Sequence, residues 1–241
     1  MSLFAAFVVG ALALVPALLI AIPVHEIGHA VAAYFLGDRS VRYFGWFTPD
    51  PRRFLEPFGV IAVFVALVGW GRRAPVQPNR ISTTGQKVVY ELGGPAASLV
   101  VALVFGFVWR LLDSRGLGGF PDYSIGPGLL GLFVYAIFFL NLSLFAFQLL
   151  PIPGLDGWNI IEALFRNRNP RFFYEVGFRR REVWAGCVVV LVAFQFFQGP
   201  NLLAVVMTPF YEPPSLISTG TCHGYAIPGL FGLHPCLPSA R

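Results

Sequence analysis

Long apolar runs constrain this chain more than any other feature of its sequence. Residues 3–36, 88–109 and 129–150 are each long enough to cross a bilayer as one helix, and residues 183–210 form a fourth run. A crossing helix needs about 20 apolar residues because the hydrocarbon core is about 30 Å thick. Charged residues make up 12% of the chain, whereas soluble domains carry about 25%. We therefore predict an all-α membrane protein.

A fifth apolar run is too short for a simple crossing. Residues 58–71 number 14, below the roughly 18–20 that a spanning helix requires. Such a run fits a re-entrant or interfacial hairpin better than a span. In the fourth run, Gly199-Pro200 predicts a kink. The resulting fold is a polytopic helical bundle with about four to five transmembrane helices plus a hairpin at 58–71.

The positions of the basic residues indicate an orientation. If residues 58–71 re-enter, residues 37–87 and 151–182 lie on one side of the membrane and hold eight and six basic residues, which is 14 of the 17 in the chain. If residues 58–71 span, the split is 10 to 7. Basic loops face the cytoplasm, so the first arrangement is favoured, with the amino terminus outside. Anchoring of these loops to anionic lipid gives the same orientation.

Two regions follow from these runs. Residues 1–210 are predicted to form a membrane-embedded domain, and residues 211–241 a Pro- and Gly-rich extracytoplasmic tail. Cys222 and Cys236 in the tail allow a disulfide, two free thiols or, with nearby histidines, a second metal site. No nucleic-acid motif and no signal of oligomeric state are present. The arginines after Phe165 are interpreted as a cytoplasmic anchor.

The most informative residues interrupt the first apolar run. His25-Glu26-Ile27-Gly28-His29 is an H-E-x-x-H pattern, and on a helix positions i and i+4 share one face. Two imidazoles so placed can bind one zinc ion, and the glutamate between them can reach a water on the metal. His29 lies seven residues before the polar stretch at Gly37, roughly 10 Å from the cytoplasmic boundary at 1.5 Å per residue.

Ionisable residues in hydrocarbon cost at least ~2.5 kcal/mol each on insertion scales, so three together need a compensating partner. A bound dication is one such partner. The alternative is a hydrogen-bonded His–Glu cluster that only packs helices. A metal transporter is a further alternative, but it needs a continuous polar path, and the predicted spans carry no charges that would line one.

A hydrolytic zinc site has three protein ligands and one open position. Glu91 and Asp156 lie at the edges of apolar runs and are the candidates for the third ligand. Asp156 belongs to the stretch Pro151-Ile-Pro-Gly-Leu-Asp-Gly157, whose prolines and glycines disfavour regular helix. At membrane depth, irregular backbone is tolerated where it lines a cavity or is buried in protein. The alternative is a turn in which Asp156 caps a helix over residues 158–165.

Together these two motifs resemble those of the site-2 proteases, a family of intramembrane zinc metalloproteases, and in particular its compact bacterial branch. That family pairs H-E-x-x-H with a later N-x-x-P-x-P-x-L-D-G stretch, which reads Gln148 to Gly157 here. The segment from Glu56 to Gly59, the Gly69-Trp70-Gly71 triplet and the stretch from Ala74 to Asn79 are also similar. Residues 92–98 match a G-P-x-x-N loop, except that the last position is Ser98. The resemblance covers about residues 15–200.

The resemblance implies one zinc ion per chain, held by His25, His29 and Asp156, with Glu26 as the catalytic base. It also implies a role in binding substrate or the oxyanion for the position that is Gln148 here and asparagine in the family. Asn141 is an alternative amide for that role. Gly93 to Pro95 in the predicted loop, with Gly94 and Pro95 as the named positions, and the hairpin at 58–71 are candidates for holding an extended substrate. The substitutions at Gln148 and Ser98 leave open a pseudoprotease that binds membrane proteins without cutting them.

The expected function is thus hydrolysis of peptide bonds in or near the transmembrane segments of membrane-protein substrates. The expected location is the cell membrane, as a multi-pass protein in contact with the lipid bilayer. The depth of His29 and the positions of the basic loops place the expected active site near the cytoplasmic side.

Overall fold

The computed structural model of the chain describes residues 3–48, 50–117, 127–196 and 202–220. These residues form helices and no β-strands beyond two isolated bridges. In chain order the helices are α1 (Leu3–Phe35), α2 (Ser40–Tyr43), α3 (Pro51–Phe54), α4 (Pro57–Ala66), α5 (Thr84–Asp113), α6 (Pro127–Gln148), α7 (Asp156–Phe165), α8 (Pro170–Phe178), α9 (Arg180–Phe196) and α10 (Leu202–Thr219). The all-α prediction is confirmed.

Three helices of the described part are long and apolar enough to cross a membrane. They comprise Val8–Phe35, Thr84–Asp113 and Leu129–Gln148, which lie in α1, α5 and α6. The three corresponding apolar runs of the sequence are therefore each a single helix. α6 lies at the centre of the bundle. In its most apolar stretch 78% of the residues are buried, whereas in that of α5 the share is 28%. The exposed apolar residues of α5 form the surface expected of a lipid-facing helix.

The fourth predicted span, residues 183–210, is divided between two helices. α9 begins with three charged residues, and α10 contains three prolines. Over the residues that the structure describes, neither helix meets the length and apolarity of a span. The predicted kink at Gly199-Pro200 lies outside the described residues.

α10 continues beyond the boundary predicted at residue 210. Along it, Leu203, Met207, Tyr211, Ser215 and Ser218 are buried at spacings of three and four residues, which is one face of a helix. This face packs against α5 and α6. Residues 211–219 are therefore helical and part of the bundle, and the tail cysteines Cys222 and Cys236 lie outside the described residues.

The short apolar run forms a hairpin. α4 begins at Pro57, where the Glu56 carboxylate accepts a hydrogen bond from Gly59 N at 2.7 Å. It ends at Ala66 and is followed by Leu67, the C-cap, whose φ of 56° is left-handed. The chain then returns, so that Leu55 and Gly71 pair in an antiparallel bridge. Because both ends of the segment meet, it has the form of the predicted re-entrant or interfacial hairpin.

Helices α1 and α5 approach to backbone contact at two glycines. A Cβ atom at Gly93 would lie 2.7 Å from the Gly28 carbonyl oxygen and 2.8 Å from Ala32 Cβ. A Cβ atom at Gly28 would in turn lie 2.6 Å from Ala97 Cβ. Small residues permit such close crossings between membrane helices, where packing replaces the hydrophobic driving force. This crossing fixes the distance from α5 to the histidines of α1.

We expect Gly93→Ala to separate α1 from α5, because the added methyl group meets backbone on the facing helix. Overpacking of this kind costs about 1–3 kcal/mol, so the melting temperature in detergent should fall. Gly85→Ala is the matched control, since Gly85 lies in the same helix with nothing within 4 Å of an added Cβ. Equal melting temperatures for the two variants would contradict a tight crossing.

The turn after α1 is held by a buried carboxylate. Asp38, 1% exposed, accepts hydrogen bonds from Ser40 N at 3.0 Å, from the Ser40 hydroxyl at 2.6 Å and from Gln77 N at 2.7 Å. Burial by itself would raise the pKa of Asp38, but these hydrogen bonds and the charge of Arg80 lower the pKa below its ordinary value. The ionised Asp38 thus ties the segment after the hairpin to the end of α1.

We expect Asp38→Ala to lower the melting temperature at pH 7, because it removes the acceptor of the Ser40 and Gln77 N–H groups, and each such hydrogen bond contributes about 1 kcal/mol. The pKa of Asp38 is lower in the folded state than in the unfolded state. Ionised Asp38 therefore adds its full contribution to the free energy of unfolding at any pH above the unfolded-state pKa. It disappears as the pH falls from about 4 through the folded-state pKa. Thermal unfolding from pH 7 to pH 3 checks this, and a difference between wild type and variant that does not narrow on acidification would contradict it.

Candidate metal centre

The two histidines predicted as ligands lie side by side on α1. His25 is 2% exposed and His29 is fully buried. Their Nε2 atoms are 3.3 Å apart, and the rings meet edge to face with centroids 4.9 Å apart. The helix thus presents two ring nitrogens to one point, as the i, i+4 spacing predicts.

The opposite ring nitrogens are held by α5. His29 Nδ1 donates to the Tyr90 carbonyl oxygen at 2.8 Å, and this acceptor requires the proton to be on Nδ1. The Nε2 lone pair of His29 is then free to bind a cation. His25 Nδ1 lies 3.1 Å from Ser98 Oγ, which can accept in the same way. Hydrogen bonds of this type set the tautomer and ring orientation of metal-binding histidines.

Asp156 completes the group from the other side of the site. It is fully buried, and its Oδ2 lies 3.1 Å from Nε2 of each histidine. α7 begins at Asp156, while the preceding residue Leu155 is the N-cap and makes no side-chain cap hydrogen bond. Asp156 is therefore not the helix cap that the alternative interpretation required. Gly154, with φ of 115°, turns the chain immediately before it.

These three side chains fit a zinc ion. Their ligand atoms all lie within 4.8 Å of one another. The separations of 3.1 to 3.3 Å are close to the edge of about 3.4 Å expected between ligands 2.1 Å from a tetrahedral zinc. Gly94 on α5 adds a cradle, since a Cβ there would meet Nε2 of both histidines. A histidine pair and a carboxylate are also a ligand set that zinc hydrolases use.

Glu26 lies beside this group with an unpaired oxygen. The residue is 2% exposed, and its Oε2 has no hydrogen-bond partner among the described residues. Gly71 at the end of the hairpin packs against the carboxylate, because a Cβ there would lie 2.8 Å from Oε1. Glu26 is thus adjacent to the metal ligands without being tied to another residue of the described chain.

A cavity of about 370 Å³ opens onto the site. His25, Glu26, Trp70 and Gln148 are among its lining residues. Gln148 Oε1 is buried and has no partner among the described residues, which leaves this amide available inside the cavity. Asn141 is fully buried and donates to the Ile137 carbonyl within α6 at 2.8 Å, and it does not line this cavity.

The expectation of a loop at Gly94 and Pro95 is wrong. Both residues are buried within α5, which continues from Thr84 to Asp113 through the proline. A helical segment has no free backbone edge along which an extended peptide could pair. Gly94 instead faces the histidine nitrogens.

Arg73 is part of the site and was missed by sequence reasoning. It forms an ion pair with Asp156 Oδ1 and a second one with Glu91 Oε2 at 2.9 Å. Burial by itself would raise the pKa of Asp156, but His29 and Arg73 lower it well below its ordinary value. In the sequence, Arg73 is one of several basic residues after the hairpin, and nothing there distinguishes it from a lipid anchor.

Comparison with curated proteins finds relatives named as zinc metalloproteases. The chain is 36% identical to the "Putative zinc metalloprotease YwhC" of Bacillus subtilis over 152 residues, 63% of this chain and 68% of that protein. It is 33% identical to the "Putative zinc metalloprotease Rip2" of Mycobacterium tuberculosis over 158 residues, 64% of this chain and 57% of the relative. Rip2 of Mycolicibacterium smegmatis is 33% identical over 153 residues.

The helical membrane fold and the buried histidine–aspartate group define the class of a polytopic membrane protein with a candidate metal centre. This chain belongs to the site-2 protease family. It spans just over half the length of the Rip2 proteins, 57% and 54%. No family model and no solved structure matches the chain.

We expect Ser98→Ala to weaken zinc binding by about 10- to 100-fold, the usual cost of losing a hydrogen bond to a ligand histidine. The reason is that His25 Nδ1 loses its partner and the ring loses its fixed orientation. Ser114→Ala, at the exposed end of the same helix, is the control. Zinc affinity measured by chelator competition checks this, and equal affinities for Ser98→Ala and wild type would show that Ser98 does not orient the ring.

Proposed function

We propose that this chain is an intramembrane zinc metalloprotease that hydrolyses peptide bonds in or near the membrane-spanning segments of other membrane proteins. The observation that carries the proposal is the buried triangle of His25, His29 and Asp156 within a bundle of apolar helices. Three ionisable side chains at this depth are costly unless they serve a function. The metalloprotease names of the relatives point to the same chemistry.

His25, His29 and Asp156 would hold the zinc ion, one per chain. When bound, zinc supplies Lewis acidity, which makes water a stronger acid and polarises a peptide carbonyl. The cavity, which His25 and Glu26 help to line, leaves one side of this triangle open. This matches the open position that distinguishes catalytic from structural zinc sites.

Glu26 would act as the general base. Its Oε2 is unpaired and borders the cavity, so it can accept a proton from water and later deliver that proton to the leaving amine. The Gln148 side-chain amide borders the same cavity and would donate a hydrogen bond to the substrate carbonyl. A membrane helix must unwind before its carbonyls become accessible, because they are bonded within the helix.

The proposed location is the cell membrane, with the site near the cytoplasmic face. Support comes from the hairpin, whose ends meet, since a re-entrant segment keeps residues 37–87 and 151–182 on one side. These ranges contain 14 of the 17 basic residues, which favours the cytoplasm for that side. The substrate would then reach the site from within the bilayer and the water from the cytoplasm.

The test combines metal analysis with cleavage. We expect about one zinc per chain in wild type and in Glu26→Gln, and none in His25→Ala. Glu26→Gln should cut single-pass membrane reporter proteins at least 100-fold more slowly than wild type, because a proton acceptor is lost while the metal stays. Glu175→Gln, an exposed surface change, is the control and should cleave normally.

Other outcomes would redirect the proposal. Cleavage by Glu26→Gln at the wild-type rate would exclude Glu26 as the base. Wild type that holds zinc but cuts nothing in the reporter panel, while Gln148→Asn cuts, would favour the pseudoprotease. Absence of zinc from wild type purified without chelators would remove the proposed function altogether.

A further inference from the structure

The two oxygens of Asp156 face different surroundings. Oδ2 lies 3.1 Å from both histidine Nε2 atoms, on the metal side of the carboxylate. Oδ1 points away from the histidines and pairs with the guanidinium of Arg73. Because Asp156 is fully buried, an unpaired second oxygen would carry a desolvation cost with nothing to offset it. Arg73 removes that cost and also restricts how the carboxylate can rotate.

Arg73 is itself held from the opposite side. Its Nη1 donates to Glu91 Oε2 at 2.9 Å, and the same oxygen accepts from Asn159 Nδ2 at 3.1 Å. Asn159 Oδ1 in turn accepts from Arg180 Nη2 at 3.1 Å. The chain of contacts joins the segment after the hairpin to α5, α7 and α9. It therefore links these elements to the orientation of one guanidinium.

The charges in this network are balanced. Arg73 bridges two carboxylates with a planar group whose donors have a fixed geometry, which a lysine cannot reproduce. An arginine side chain keeps its positive charge in proteins, and here that charge lies between the Asp156 and Glu91 carboxylates. Glu91 offsets the positive charge that Arg73 would otherwise place beside a dication. The arrangement is thus compatible with a cation between the histidines.

We propose that Arg73 is a positioning residue for the metal, which holds Asp156 with a single oxygen towards the histidines, and that Glu91 and Asn159 hold Arg73 in turn. This inference rests on the metal site of the proposed function. A competing account predicts the opposite effect on metal affinity. In that account Arg73 pairs with the Asp156 carboxylate in place of the metal, so removing Arg73 would strengthen metal binding.

The experiment measures metal binding to the full chain in mild detergent. We expect Arg73→Met to weaken zinc binding by about 10- to 100-fold in chelator competition. We also expect the visible absorption spectrum of the cobalt(II)-substituted protein to change, because the third ligand is no longer fixed. Arg72→Met is the matched control, since Arg72 is the exposed neighbouring arginine, and it should bind both metals as wild type does.

Two further variants separate positioning from a general loss of structure. Arg73→Ala should regain zinc affinity when free guanidinium ion is added at millimolar concentration, because the ion can occupy the space left by the side chain. Glu91→Gln, nearly isosteric, should weaken zinc binding in the same direction while preserving the fold. If Arg73→Met does not fold, guanidinium rescue and Glu91→Gln still decide the matter.

The inference is overturned if Arg73→Met folds and binds zinc as tightly as wild type, or more tightly, with an unchanged cobalt spectrum. A loss of thermal stability in metal-free Arg73→Met without any change in metal binding would also overturn it, since that result describes a purely structural ion pair. Wild type without zinc would remove the metal site and this inference with it. Zinc in wild type with unaltered binding in the variants would remove only the inference.

Discussion

The close crossing of α1 and α5 is the contact on which the rest of the site depends. At Gly28 and Gly93 the two helices approach until each glycine has no room for a side chain. One turn to either side of this crossing, α5 provides the Tyr90 carbonyl and the Ser98 hydroxyl, which bind the Nδ1 atoms of the two histidines. A helix placed farther away would leave those nitrogens without partners and both rings free to rotate. The close packing at Gly28 and Gly93 thus helps to fix the direction in which the Nε2 atoms of His25 and His29 face.

A second constraint is the irregular backbone between α6 and α7. Prolines at 151 and 153 prevent α6 from continuing, and Gly154 takes a φ of 115° that favours glycine. Gly157 has no room for a side chain, because a Cβ there would overlap the Leu149 carbonyl. The chain therefore folds back tightly, and the first residue of α7, Asp156, enters the bundle instead of facing solvent. A continuous helix could not turn the chain back between Gln148 and Asp156 and place the carboxylate opposite α1. This requirement explains the irregular segment between α6 and α7.

The sequence alone was sufficient to predict the three long helices, because each apolar run is much longer than a β-strand or a loop would be. It was also sufficient to group His25 with His29, whose spacing needs only one helix. Local sequence patterns failed where the structure depends on contacts between residues far apart in the chain. The resemblance of residues 92–98 to a family loop suggested a loop at Gly94 and Pro95, yet both residues lie buried within α5. The Pro- and Gly-rich composition after residue 210 suggested a tail, although residues 211–219 continue α10 and bury Ser215 and Ser218. Arg73 could not be told from other arginines, since its partners lie 18 and 83 positions away in sequence.

Two of the buried polar atoms that lack a partner in the described part of the chain lie at the candidate site. Glu26 Oε2 and Gln148 Oε1 are both buried without a partner in the described part of the chain, and both side chains border the same cavity. A buried oxygen left unpaired costs about 1–3 kcal/mol, and native proteins keep few of them. The other polar atoms around the site have hydrogen-bond or ion-pair partners. These atoms are both histidine Nδ1 atoms, both Asp156 oxygens and the Glu91 carboxylate. The contrast between a satisfied framework and two open acceptors is the pattern expected of a preorganised site, in which the missing donors come from water or from a bound peptide.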